Sequence, residues 1–203
     1  MAGRDGGRLP FVGLTGGIGA GKTEALRAVR RLGAETLSTD EVVHELLEGD
    51  DEVRNRIAER LGPEVAPDGR VDRSKVAGRV FESDEDREWL EQLLWPRVGE
   101  RVAAWRSELE SRDRPPRAAV VEVPLLFEAG MDEMFDATIA VVADDYLREE
   151  RTGDRGHAGG EGRERRQLSQ DEKAQRADFA VDNSGDLDRL ESTMSEILEK
   201  LES

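Results

Sequence analysis

The stretch Gly16 to Thr23 reads GGIGAGKT. Its spacing, glycine then four residues then Gly-Lys-Ser/Thr, is that of a backbone cradle for phosphate. Gly17, Gly19, Ala20 and Gly21 can turn successive backbone N–H groups around an anion. The helix that begins there, through Glu24, adds its partial positive charge. Lys22 can reach the outer phosphates and the Thr23 hydroxyl can ligate Mg²⁺. These residues are the candidate binding site for ATP, with Mg²⁺ as the accompanying ion.

Transfer of a phosphoryl group also needs a base at the acceptor hydroxyl and cations around the moving charge. Asp40 stands just after the second apolar segment, where the carboxyl ends of parallel strands gather loop and acceptor, and it is the candidate base. Near a helix start, the same carboxylate would also favour the dipole. Glu122 closes the run Ala119-Val120-Val121-Glu122 as a strand-end carboxylate, and with Thr23 it is the candidate metal ligand, ahead of Glu128. Arg151, Arg163 and Arg166 flank, and Arg155 lies within, the glycine-rich stretch TGDRGHAGGEG, the place from which a closing lid would bring positive charge. His44 and His157 are possible acceptor contacts.

A guanine-specific hydrolase is excluded. It would need an Asn-Lys-x-Asp reader, and none of the four lysines (Lys22, Lys75, Lys173, Lys200) follows an asparagine. The D-x-x-G match at Asp182 to Gly185 comes too late in the chain for a switch and reads as a turn.

The elements that must position these groups follow from hydrophobic pattern. Short apolar runs at Phe11 to Leu14, Ala34 to Leu37, Ala118 to Val123, Ala137 to Ala143 and Phe179 to Val181 predict strands, and those nearly continuous in Val, Ile and Ala fit a parallel sheet covered on both faces. Ser38 and Glu41 fit a capping box for a helix through Leu47. From Asp51 to Arg112 the pattern is helical, broken between Gly62 and Gly69. Pro96 should kink or split the run Leu90, Leu94, Val98, Val102. Trp89, Trp95 and Trp105 all fall in this stretch, which predicts a helical insertion with its own apolar cluster. A closing helix carries Leu187, Leu190, Met194, Ile197 and Leu201 on one stripe.

Composition narrows the function further. With 30 basic against 46 acidic residues the net charge is −16, a sign that repels nucleic acid and anionic lipid, so neither is expected as a partner. No cysteine is present, which removes disulfides, thiolate metal sites and thiol nucleophiles and makes the cytoplasm the expected compartment. No run has the length of a membrane span or the apolar core of a secretory leader.

The segments LTGGIGAGKT (from Leu14), TDEVVHELL (from Thr39), VDRSKVAGRVF (from Val71), EVPLLFEAG (from Glu122) and QLSQDEKAQRADFAVDNSG (from Gln167) together resemble the dephospho-CoA kinases, a P-loop kinase family. The phosphate loop is common to many families. The V-P-L-L-F-E and Q-x-x-x-x-E-K-x-x-x-A-D-x-x-x-D-N-x-G patterns are distinctive in this combination. The resemblance implies an adenylate-kinase-like α/β fold with a parallel sheet of about five strands, and ATP-dependent phosphorylation of the ribose 3′-hydroxyl of dephospho-CoA. It implies that Asp40 faces that hydroxyl, that Arg151 and Arg155 belong to the lid, and that Asn183 lies near the adenine.

The expected organisation is one domain over 1–203, with an acceptor-binding insertion over 51–112 and a lid over 145–170. Three departures from the family pattern stand out. Ser38-Thr39-Asp40 replaces Asp-Ala-Asp, Trp95-Pro96 replaces His-Pro, and the flap after Arg155 is a few residues short. Two rivals share the phosphate loop: a kinase for another small acceptor, and a module that holds ATP without chemistry.

Overall fold

The structure, a computed structural model, describes residues 8–153 and 167–203. Five strands, β1 (Phe11–Gly16), β2 (Glu35–Ser38), β3 (Ala119–Glu122), β4 (Ala137–Val142) and β5 (Phe179–Asp182), form one sheet in the order β2-β3-β1-β4-β5. Every pairing is parallel. The described helices are α1 (Lys22–Arg31), α2 (Thr39–Gly49), α3 (Asp51–Leu61), α4 (Arg73–Glu82), α5 (Asp84–Glu110), α6 (Asp145–Gly153), α7 (Gln170–Arg176) and α8 (Leu187–Leu201).

The chain divides into two compact units: residues up to Ser38 together with those from Arg106 onward, and Thr39–Trp105. In the first unit every residue of β1 is buried, as are Ala119, Val120 and Val121 of β3 and the first five residues of β4. Burial on both faces is what a continuous Val/Ile/Ala run demands, since side chains alternate across the sheet. One face of the core is closed by Ala25, Leu26, Ala28 and Val29 of α1 with Leu190, Met194, Ile197 and Leu198 of α8. From β1 the chain goes first to the side of β2 and β3 and later to that of β4 and β5. The carboxyl end of β1 is therefore the point where connections diverge, the usual place for a ligand in such a sheet.

The second unit is helical. Leu47, Val53, Ile57, Leu61, Val65, Val76, Leu93 and Leu94 form its core, with Trp89 packed against them. Aliphatic residues fill the centre, while all three tryptophans are only half-buried. The break after α3 falls where glycine and proline set it, as two one-turn 3₁₀ segments, Pro63–Val65 and Pro67–Gly69.

Pro96 does not split the run: α5 is one helix of 27 residues with Pro96 inside it. A proline removes one backbone donor and disturbs the turn before it. Here the Arg97 guanidinium donates to the Leu93 carbonyl at 3.0 Å, supplying a donor within that turn. Leu93, Leu94, Val98 and Val102 are buried on both sides of the proline and hold the helix through it.

Candidate active site

The loop between β1 and α1 is shaped by two close approaches. Gly21 has φ +91°, and a Cβ there would lie 1.9 Å from Asn183 Nδ2. Gly19 has φ +77°, and its Cβ would lie 2.7 Å from the Arg148 carbonyl oxygen. Both backbone conformations are costly for any residue with a side chain.

Three successive loop carbonyls are tied outward. Arg148 Nε donates to Ile18 O at 3.0 Å, Arg151 Nη1 to Gly19 O at 3.3 Å, and Asn183 Nδ2 to Ala20 O at 2.9 Å. A trans peptide sets its N–H opposite its C=O, so these bonds aim the N–H groups of Gly19, Ala20 and Gly21 to the other side of the loop. The Ala20 N–H closes the turn on Gly17 O at 3.2 Å. Lys22 Nζ folds over the loop, donating to Gly16 O at 3.1 Å and Gly17 O at 3.2 Å.

The start of α1 differs from that of other helices. Asp50, Asp72, Ser169 and Asp186 cap α3, α4, α7 and α8 through side-chain oxygens, whereas α1 begins at Gly21 with no side-chain cap. A first turn without such a cap, behind a glycine-rich loop, is suited to an external anion.

Arg151 and Asn183 are brought together at this loop. Arg151 Nη2 donates to the Asn183 carbonyl at 3.2 Å, and Asn183 is itself buried, with its N–H on Val142 O at 2.8 Å. Glu24 turns away along α1, its carboxylate paired with Arg27. Arg155 lies outside the described residues, as do Arg163, Arg165, Arg166 and His157. Sequence reasoning missed Arg148, whose only signal was its place one helical turn before Arg151.

Thr23 is exposed as the second residue of α1, and Glu122 is half-buried at the end of β3, in register with Leu14 of β1 on one side and Ser38 of β2 on the other. Among the described residues no group of three or more His, Cys, Asp or Glu side chains is placed to hold a metal ion. A hydroxyl and a strand-end carboxylate are the hard oxygen donors that Mg²⁺ takes when it shares substrate phosphates and keeps part of its water shell. Their chemistry fits that ion. Glu128 is committed elsewhere: its Oε1 lies 3.0 Å from Lys173 Nζ, a buried amine that sequence reasoning also passed over.

Asp40 belongs to the helical unit, exposed in the first turn of α2, two positions after the last residue of β2. One turn on, His44 Nδ1 lies 3.2 Å from Arg73 Nη1, and His44 Nε2 lies 3.4 Å from Glu48. Arginine can only donate. Nδ1 is therefore the acceptor and Nε2 carries the proton.

Comparison with known proteins decides the family. The dephospho-CoA kinase family model matches residues 10–189. A dephospho-CoA kinase of Protochlamydia amoebophila is 35% identical over 198 residues, covering 96% of this chain and 97% of its own. The chain belongs to the dephospho-CoA kinase family. The solved structure of TT1252 from Thermus thermophilus is similar at TM-score 0.78 and 31% identity, covering 96% of this chain and 99% of that one. The dephospho-CoA kinase from Campylobacter jejuni shares the fold at TM-score 0.68 and 21% identity, over 95% and 96% of the two chains. Within this dephospho-CoA kinase family chain, Lys22, Arg148, Arg151 and Asn183 gather on one loop, while Asp40 sits at the head of the helical unit.

Proposed function

We propose that the chain transfers the γ-phosphoryl group of ATP to the ribose 3′-hydroxyl of dephospho-CoA, giving CoA and ADP. The observation that carries this reading is the phosphate loop, with its carbonyls anchored outward and an uncapped helix behind it, in a chain of this family. In the reaction a bond forms from the 3′-oxygen to the γ-phosphorus, the bond from that phosphorus to the β,γ-bridging oxygen breaks, and ADP leaves with the electron pair. Asp40 takes the hydroxyl proton. The loop N–H groups and Lys22 hold the phosphates in line and offset charge on the moving group, an electrostatic and positional task rather than a covalent one.

Thr23 and Glu122 would hold Mg²⁺, which when bound neutralises phosphate charge. Arg151 fixes the loop from outside and stands within reach of the nucleotide, with Arg155 assigned to the same lid over 145–170. Asn183 borders the adenine end of the site. The helical insertion, expected over 51–112, takes the acceptor. No described helix is long and apolar enough to cross a membrane, and we assign the enzyme to the cytoplasm.

The test is ADP release from Mg-ATP with dephospho-CoA, run beside adenosine, other nucleosides and simple sugars. Selective release with dephospho-CoA is expected. Turnover of another acceptor in its place would overturn the acceptor assignment, and ATP binding without turnover on any acceptor would make the chain a binding module.

A further inference from the structure

Lys173 lies in the distinctive segment from Gln167 to Gly185, yet nothing in the proposed reaction uses it. Its side chain is completely buried. Lysine is seldom found so unless it is paired, and burial without partners is costly. Its Nζ lies 3.0 Å from Glu128 Oε1, 2.6 Å from the Pro124 carbonyl and 3.4 Å from Thr15 Oγ1. Three donors meet three acceptors. A compact ammonium satisfies such a pocket where a flat guanidinium would not, which gives a reason for lysine in a chain whose cations are mostly arginine.

The acceptors come from segments that flank the phosphate site. Thr15 precedes Gly16, whose carbonyl receives Lys22 Nζ, and the Thr15 hydroxyl donates to Pro124 O at 3.2 Å. Pro124 stands two residues after Glu122. Glu128 Oε1 also accepts the Leu168 N–H at 2.8 Å, while Oε2 is buried with no partner among the described residues. One turn from Lys173 on α7, Gln170 clasps the backbone of Ala143. It accepts from Ala143 N–H at 3.1 Å and donates to Ala143 O at 2.9 Å. Ala143 leads directly into α6, which carries Arg148 and Arg151 to the loop carbonyls. Through α7, then, one element grips both the strand that enters the phosphate loop and the helix that holds the loop from outside.

We propose that Lys173, acting with Glu128, is a positioning residue for the phosphate loop. This rests on the phosphotransfer reading of the site. A buried ion pair is weak support for stability, because well-packed apolar residues in its place are often neutral or better, whereas removal of one partner strands the other charge. That difference separates positioning from mere structure.

The experiment compares wild type, Lys173→Met, the double variant Lys173→Met/Glu128→Leu, and Thr15→Val. Tm, kcat and KM for ATP are measured with dephospho-CoA as acceptor, and Kd for ADP by direct titration. Lys173→Met should lower Tm strongly. The double variant should return to within about 3 °C of wild type, yet keep kcat about ten- to a hundredfold down and bind ADP more weakly, as expected for a displaced reacting geometry. Recovery of kcat and ADP affinity along with Tm would overturn the proposal. If the double variant does not fold, Thr15→Val decides: it keeps the pair and removes only the hydroxyl that joins it to β1. Reduced kcat and weaker ADP binding at near-native Tm support positioning, and wild-type values overturn it. Should wild type bind ADP but leave dephospho-CoA untouched, the acceptor assignment fails, while the ADP titrations still test Lys173.

Discussion

The two units bury different things. Of the six polar or charged residues buried among those described, Thr15, Ser38, Thr138, Lys173 and Asn183 lie in the sheet unit, and only Thr39, the first residue of the helical unit, lies outside it. The helical unit has an aliphatic interior and sets its charges on the surface, as in Arg60 with Glu85 and Asp86, Arg54 with Asp51, Arg79 with Glu64, and Arg97 with Asp50 and Glu52. Buried polar groups cost stability unless satisfied, and once satisfied they set a geometry sharply. Exposed pairs contribute little and hold little in place. The difference teaches that buried polar contacts of fixed geometry belong to the sheet unit, several of them at the phosphate loop, whereas in the helical unit Asp40 is exposed and His44 half-buried.

The largest effects should come from one residue in each unit. Lys22→Ala and Asp40→Asn are each expected to lower turnover by about two decades or more with little change in Tm. Wild-type turnover in Asp40→Asn would take the base role from it. Ile57→Ala, in the helical core, should cost about 2–5 kcal/mol, raising KM for dephospho-CoA while direct titration finds ADP affinity unchanged. A comparable loss of ADP affinity would break the division of labour between the units.

Gly21→Ala forces a Cβ onto Asn183 Nδ2 at a positive φ. It should raise KM for ATP by about tenfold or more, leaving KM for dephospho-CoA nearly constant. Equal changes in both constants would blur the comparison.

A smaller effect concerns pH. Burial, only partly offset by Glu128, holds the Lys173 ammonium below its ordinary value of 10.5. Between the lowered value and 10.5 the unfolded chain binds more protons than the folded one, so the stability owed to this group rises with pH through that interval. The Tm of wild type minus that of Lys173→Met should therefore increase on the alkaline approach to 10.5. A flat difference would mean that burial does not depress the amine. Smallest of all, Arg79→Ala should change stability by less than about 1 kcal/mol, read from urea unfolding.

Much of this was legible without coordinates. The strands announced themselves because a sheet covered on both faces needs unbroken apolar runs, and the cradle from Gly16 to Thr23 because backbone approach to phosphate needs glycine at particular places. A split at Pro96 does not occur because Arg97 and the buried leucines act from elsewhere on the helix, whereas propensity weighs a single donor against its own turn. Arg148 looked like any other cation in a highly charged chain, and Lys173 stood in a distinctive segment without a sign of what it touches. The contacts that tie them to the phosphate site, Arg148 to Ile18 and Lys173 to Thr15, span 130 and 158 residues, and no local pattern reports such neighbours.

By itself the sequence determined the chemistry available here: a phosphate loop, its lysine and threonine, and carboxylates at the ends of apolar runs, all encoded by residue type and short spacing. The tertiary structure decided which of the many arginines, lysines and glutamates stand near that loop. Strand order placed β1 between β3 and β4, and so let segments that follow β3, β4 and β5 carry Glu128, Arg148, Arg151 and Asn183, with Lys173 of α7, to β1 and the loop after it. Burial then separated the charges held in a fixed geometry from those left in water, where screening leaves them little to do.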